Sequence, residues 1–188
     1  MLSILSGKFK GHKLQVPKSG TRPTSSLVKK SLFDRLRPDL EGSVFCDLFA
    51  GSGACSFEAL SQGADTVILV EASNGAFHCI KANIDKLKCQ SQCQLHLKKA
   101  HKYLSTADVS QIDFFFIDPP YDIDPEDPSS YESLLKFFND ASLKQGALII
   151  LESKDPARIE KPLERLEALE LISQKDYGDS FLFFVRKS

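Results

Sequence analysis

The chain has little of what marks a membrane, fibrous or disulfide-stapled protein. Among its 188 residues no stretch approaches the roughly 20 consecutive apolar residues that span a bilayer. Met1–Leu5 is too short for the apolar core of a secretion signal and runs straight into Lys8 and Lys10. Glycine (10) and proline (9) are too few for a collagen-like or low-complexity chain, and 42% hydrophobic residues exclude wholesale disorder. The cysteines are odd in number and scattered: Cys46, Cys55, Cys79, Cys89 and Cys93. Only the last two are near neighbours, and no second Cys/His pair completes a zinc set. Reduced thiols in a soluble cytoplasmic protein without a metal site are expected. A chain of this length buries about 70% of its unfolded surface, enough for a core that needs no cross-links.

The near-neutral balance of −1 conceals a polarity. Residues 1–38 carry nine bases against one acid, Asp34, a charge of +8; the remaining residues carry 15 bases and 24 acids, a charge of −9. A basic head on an acidic body points to a polyanion held by the head.

Ser3–Val16, with glycines at 7 and 11, reads as a β-hairpin with bends. A connector follows, and Ser25 or Ser26 caps a helix with Leu27, Val28, Leu32, Phe33 and Leu36 on one side, stopped by Pro38. From residue 43 apolar runs alternate with helical patterns: Val44–Phe49 then Ala54–Gln62, Thr66–Val70 then Asn74–Leu87, Cys93–Leu97 then His101–Leu104. Phe114–Ile117, a helix over Tyr131–Ala141 and Ala147–Glu152 continue the series. Such alternation predicts βαβ units and a mostly parallel sheet covered on both faces. Leu169–Gln174 and Phe181–Val185, joined through Tyr177-Gly178-Asp179, predict a closing antiparallel pair. The expected layout is an α/β domain over 41–188 with a small basic extension over 1–40.

Asp47-Leu-Phe-Ala-Gly51-Ser-Gly53 follows the first apolar strand and opens a helix. Ligands of open α/β sheets bind beyond such strand ends, and the two glycines let backbone approach a ligand closely. Glu71 ends the second strand, where a carboxylate accepts hydrogen bonds from ribose hydroxyls. A dinucleotide fingerprint wants a third Gly or Ala where this chain has Ser56, and Asp47 is a poor neighbour for pyrophosphate. S-adenosylmethionine, with a sulfonium and an ammonium, suits an acidic entrance.

The sharpest motif is Asp118-Pro119-Pro120-Tyr121 after the phenylalanine-rich fourth strand. Two prolines stiffen the turn and remove its N–H donors, while their carbonyls stay available as acceptors. Asp118 and the Pro119 carbonyl can each accept one hydrogen of an exocyclic NH2, aiming its nitrogen at an electrophilic methyl. Tyr121 offers a ring on which a flipped base stacks, worth about 1–3 kcal/mol.

Across nearly its whole length the chain resembles the bacterial 16S ribosomal RNA guanine-N2 methyltransferase family (RsmD type). The resemblance rests on the N-terminal Ser-Gly-Lys-Phe-Lys-Gly-His-Lys-Leu, Arg22-Pro23-Thr24, the glycine loop, Glu71, Asn83, the Asp-Pro-Pro-Tyr turn, Leu151-Glu152 and Tyr177-Gly178-Asp179. It implies a Rossmann-like, seven-stranded class I methyltransferase fold with an N-terminal extension. It also implies that Asp47, Phe49, Gly51, Ser52, Gly53, Glu71, Ala72 and Ala100 surround S-adenosylmethionine. Asp118, Pro119, Pro120 and Tyr121 would hold the guanine, and Lys8, Lys10, Lys13, Arg22, Thr24 and Lys29 would contact RNA. The implied partner is 16S ribosomal RNA or the assembling small subunit, met by a monomer.

Three departures stand out. Lys29-Lys30 replaces the family's Arg-Glu, removing any ion pair from that Glu. Lys99 occupies the position after the third strand where an Asp or Asn usually accepts from adenine, so adenine would be read by backbone or packing. Asp122, Asp124, Glu126 and Asp127 crowd the segment after the motif, which is expected to turn away from phosphate or to move until substrate arrives. His78 reads as a packed or surface side chain, His12 and His101 as neighbours of bases, and Phe114–Phe116, Phe181, Phe183 and Phe184 as packing. Two other functions share these motifs: adenine-N6 or cytosine-N4 methylation of DNA, and a non-catalytic RNA-binding assembly factor. Small size without a DNA-recognition domain favours RNA; intact Asp118 and Glu71 favour an enzyme.

Overall fold

A computed structural model describes residues 2–17 and 25–188; Arg22 and Thr24 of the expected RNA contacts lie outside the described residues. Seven strands form one sheet in the order β3-β2-β1-β4-β5-β7-β6. β1 (Val44–Asp47), β2 (Thr66–Glu71), β3 (Cys93–Leu97), β4 (Phe114–Ile117) and β5 (Leu148–Ser153) are parallel. β7 (Phe181–Lys187) runs antiparallel to both β5 and β6 (Leu169–Asp176). This is the Rossmann-like order expected, with the antiparallel closing pair at one edge. The order reverses between β1 and β4, the place where open α/β sheets leave a ligand crevice.

Successive residues of a strand face opposite sides, so each strand feeds two cores. Phe45, Val67, Leu69, Phe114, Phe116, Leu148, Ile150, Leu182 and Phe184 face the side covered by α1 (Ser26–Leu36), α2 (Ala54–Ser61) and α3 (Asn74–Leu87). Cys46, Ile68, Val70, Phe115, Ile117, Ile149, Leu151, Phe183 and Val185 face α4 (Ala100–Leu104), α5 (Tyr131–Asp140) and α6 (Ala157–Leu163). The phenylalanines of β4 and β7 are thus packing residues, as expected. Ser25, rather than Ser26, caps α1 by accepting from Val28 N–H at 3.2 Å. Ile4, Leu14, Val28, Leu32 and Phe33 share the first core with Phe45, so the extension and the sheet are packed as one body. No helix among the described residues is long and apolar enough to cross a membrane.

Two expectations about local structure change. The arms of Ser3–Val16 run antiparallel but pair through a single bridge, Ser3 with Lys13, instead of forming a hairpin ladder. The reason is competition for backbone donors. Leu5 and Ser6 N–H go to the Glu58 carboxylate at 2.8 and 2.9 Å, Lys8 N–H to the Ser61 carbonyl at 2.8 Å, and Phe9 N–H to the Ser61 hydroxyl at 2.8 Å. Gly7, at φ +77°, makes this close approach possible: a Cβ there would sit 1.6 Å from the Ser61 carbonyl oxygen. The second change is α6, a helix the apolar pattern does not reveal. It has seven residues, contains Pro162, and fully buries only Ile159.

Candidate active site

The glycine loop leaves β1 at Asp47 and enters α2 at Ala54. Gly51 and Gly53 have φ of +56° and +78°, a conformation that disfavours side chains, which is why this turn uses glycine. Glu71 holds the loop from the end of the neighbouring strand: one carboxylate oxygen accepts from Gly51 N–H at 2.8 Å, the other from Ser73 N–H at 2.7 Å. Each oxygen keeps a lone pair for a ligand hydroxyl. Asp47 is 2% exposed and accepts from the Ser56 hydroxyl at 3.1 Å. Burial pushes its carboxyl up to about 7, against the pull of that hydrogen bond. Phe49 is half-buried, Ser52 buried and Ala72 exposed on the loops around this end of the sheet, while buried Ala100 begins α4 after β3.

Asp118 lies one residue beyond β4, in the strand paired with β1. The residue is half-buried, and burial raises its carboxyl well above the carboxylate range, with the nearby Glu152 and Asp47 carboxylates adding to the shift. Glu152, on β5, is 3% exposed. Alternation along the strands puts Asp47 and Glu152 on the same face as Phe45 and Ile150. Three carboxylates from adjacent strands therefore converge at the crevice. The Pro120 carbonyl accepts from Ile123 N–H at 3.0 Å, whereas the Pro119 carbonyl is not used by a backbone N–H of the described residues. Tyr121 is 43% exposed, with the Lys154 ammonium 3.8 Å from its ring centroid.

The acidic segment after the motif is tied to its surroundings. Arg158, on the unforeseen α6, donates to the Tyr121 carbonyl at 3.0 Å and the Ile123 carbonyl at 2.8 Å. Lys99 pairs with Asp127 at 3.3 Å, and the His101 ring meets the Ser129 hydroxyl at 2.8 Å. The lysine that replaces the usual adenine acceptor therefore secures the loop beside the motif. Arg158 escaped the sequence reading because a lone arginine beyond β5 carries no pattern.

The family model described as Conserved hypothetical protein 95 matches residues 2–186. Ribosomal RNA small subunit methyltransferase D of Haemophilus influenzae is 33% identical over 178 residues, 93% of this chain and 88% of that protein. The chain belongs to this family. The methyltransferase D of Escherichia coli is 33% identical over 64% of this chain and 60% of its own length. Among solved structures, the Escherichia coli protein yhhF superposes with a TM-score of 0.82 at 26% identity, covering 100% of this chain and 98% of that one. As a member of the methyltransferase D family, the chain is an S-adenosylmethionine-dependent methyltransferase.

The contacts expected of the basic head divide. Lys8, Lys10 and Lys13 are exposed. Lys8 sits at the C-terminal end of α2, where its amine also donates to Gln92 at 2.8 Å. The glycine loop is at the other end of this eight-residue helix, about 12 Å away. Lys29 must be removed from the RNA-contacting set: it is 1% exposed, pairs with fully buried Glu58 at 3.3 Å and donates to the Ser3 carbonyl at 3.0 Å. The ion pair thought lost with the family's Glu is replaced by one reaching across from α1 to α2. No sequence pattern names its partner, because Glu58 is 29 positions away in an otherwise uncharged helix.

Proposed function

We propose that this methyltransferase modifies the exocyclic N2 of a guanine in 16S ribosomal RNA, acting as a cytoplasmic monomer on that RNA or on the assembling small subunit. The observation that supports the reading is that β4, which runs into Asp118 and Pro119, pairs in parallel with β1, which runs into the glycine loop, with Asp47 close enough to Asp118 to raise its pKa. Asp47, Gly51, Ser52, Gly53 and Glu71 would hold the cofactor, with Phe49, Ala72 and Ala100 around them. The fit is one of charge. Burial, with a smaller push from the Glu71 carboxylate, raises Asp47 to about 7, so a sulfonium and an ammonium here would favour its ionised form whereas a pyrophosphate would oppose it. When bound, S-adenosylmethionine supplies an electrophilic methyl group.

The chain's own groups do the rest. In its ionised form, which a cationic ligand beside it favours against the burial and the carboxylate neighbours that raise its pKa, Asp118 accepts one N2 hydrogen and the Pro119 carbonyl the other, fixing the nitrogen's lone pair toward the methyl carbon. Tyr121 stacks on the base. The product amine sheds its extra proton to solvent or briefly through Asp118, so no separate base of high pKa is needed. Lys8, Lys10 and Lys13 bind phosphates, and adenine is read by backbone and packing, since Lys99 has no acceptor to offer.

The test is methyl transfer from labelled cofactor to unmodified 16S RNA or small subunits, followed by nucleoside digestion. N2-methylguanosine is expected, with Asp118→Ala lowering kcat/KM by on the order of 100-fold or more. Methylated adenine or cytosine would overturn the substrate, and full activity of the variant would overturn the site.

A further inference from the structure

We propose that Asn83 is a positioning residue that couples RNA binding on the N-terminal extension to cofactor binding on the glycine loop. Asn83 lies on α3 and is fully buried. Its side-chain oxygen accepts from Gln15 N–H at 2.8 Å, and its amide nitrogen donates to the Gln15 carbonyl at 3.0 Å. The same nitrogen donates its other hydrogen to the Ser52 carbonyl at 3.1 Å. One side chain thus clips a residue of the extension in both directions and holds the middle of the cofactor loop.

The two ends of this link differ in stiffness. Asn83 is set in a helix whose Ile80, Ile84 and Leu87 are core residues, so its amide is firmly aimed. Ser52 stands between two glycines in left-handed conformations, where the backbone has little restraint of its own. Its carbonyl shares a peptide plane with the Gly53 N–H, which donates to the Ala50 carbonyl at 2.6 Å, so Asn83 and Ala50 together hold that plane and the shape of the loop. On the other side, Gln15 is two residues from Lys13, whose carbonyl is itself held by the Lys86 ammonium at 2.6 Å. A phosphate that orders Lys8–Lys13 therefore orders Gln15, and through Asn83 the Ser52 carbonyl. This answers how a grip about one α2 length from the chemistry can report that RNA is in place. The inference rests on the proposed roles of the extension and the glycine loop.

The experiment is a binding cycle with S-adenosylhomocysteine and unmodified 16S RNA, each titrated with and without the other. In the wild type, RNA tightens S-adenosylhomocysteine about fivefold or more, and S-adenosylhomocysteine tightens RNA by the same factor. Asn83→Ala and Asn83→Asp bring that factor to about one, a change that a general loss of stability would not produce. Equal affinities in the wild type, or a factor preserved in either variant that melts cooperatively, overturns the coupling. Hydrogen exchange in the wild type provides a reading that needs no variant: RNA raises protection at residues 51–54, and unchanged protection there overturns the inference. Lys8, Lys10 and Lys13 replaced together by Ala serve as the control. If they leave RNA affinity and its salt dependence unmoved, the role of the extension fails, not merely its link to the loop.

Discussion

Replacing Lys29 by Met separates a structural role from an RNA-binding one. The methionine keeps most of the apolar stem and removes the charge, leaving Glu58 buried without its cation. Removing one partner of a buried pair costs about 3–5 kcal/mol. Here Leu5 N–H, Ser6 N–H and the Gln62 amide still donate to the Glu58 carboxylate, so the lower end applies, about 3 kcal/mol. For a domain of this size that corresponds to a fall in Tm of roughly 6–12 °C. Lys29→Ala loses the packing of the stem as well and falls further. Differential scanning calorimetry measures the shift. RNA titrations at several salt concentrations, run well below the melting range, should give a salt slope equal to that of the wild type. An unchanged Tm together with a slope reduced by about one unit would refute the buried pair and restore Lys29 as a phosphate contact.

Two further predictions concern the carboxylates at the crevice. Asp47 has its pKa raised to about 7, so its contribution to stability is complete below its unfolded value of 3.8 and is lost as pH rises through about 7. Asp47→Asn should therefore raise the Tm of cofactor-free protein at pH 8 relative to pH 5, by at most about 3 kcal/mol of stability, while weakening S-adenosylmethionine. Parallel melting profiles of variant and wild type across this range would refute the buried charge. Glu152→Gln removes a negative neighbour from Asp118, whose acceptor form then survives to lower pH. The acid limb of kcat/KM against pH should move to lower pH, and a limb that stays in place would show that the two carboxylates do not interact.

The parts of this molecule legible from sequence are those written in local patterns. β1, β2, β4 and β5 are short apolar runs because both of their faces are largely buried, and α3 and β4 begin and end where their apolar spacing does. The crevice motifs are legible for the same reason, since Gly51, Gly53 and the prolines after Asp118 are local solutions to backbone problems. What escaped depends on contacts distant in sequence. The Ser3–Val16 arms do alternate, but Glu58 and Ser61 take the donors that a hairpin needs. Lys29 looks like one more base in a basic segment until the fold sets a carboxylate beside it. Arg158 acquires its meaning from two carbonyls 35 and 37 positions earlier. Charge counting alone thus misassigned Lys29, because it does not see the carboxylate that the fold sets beside it.

The Lys154 ammonium over the Tyr121 ring has a consequence for how a base gets in. A nucleobase seeking that face finds it tenanted, so docking is a trade of one guest for another rather than the covering of a bare ring. The evicted cation is released beside an incoming strand whose backbone is negatively charged, where it finds a new counterpart. On the role proposed for Tyr121, a free nucleoside brings no such counterpart, so the exchange would favour a base carried by a polynucleotide over the same base alone.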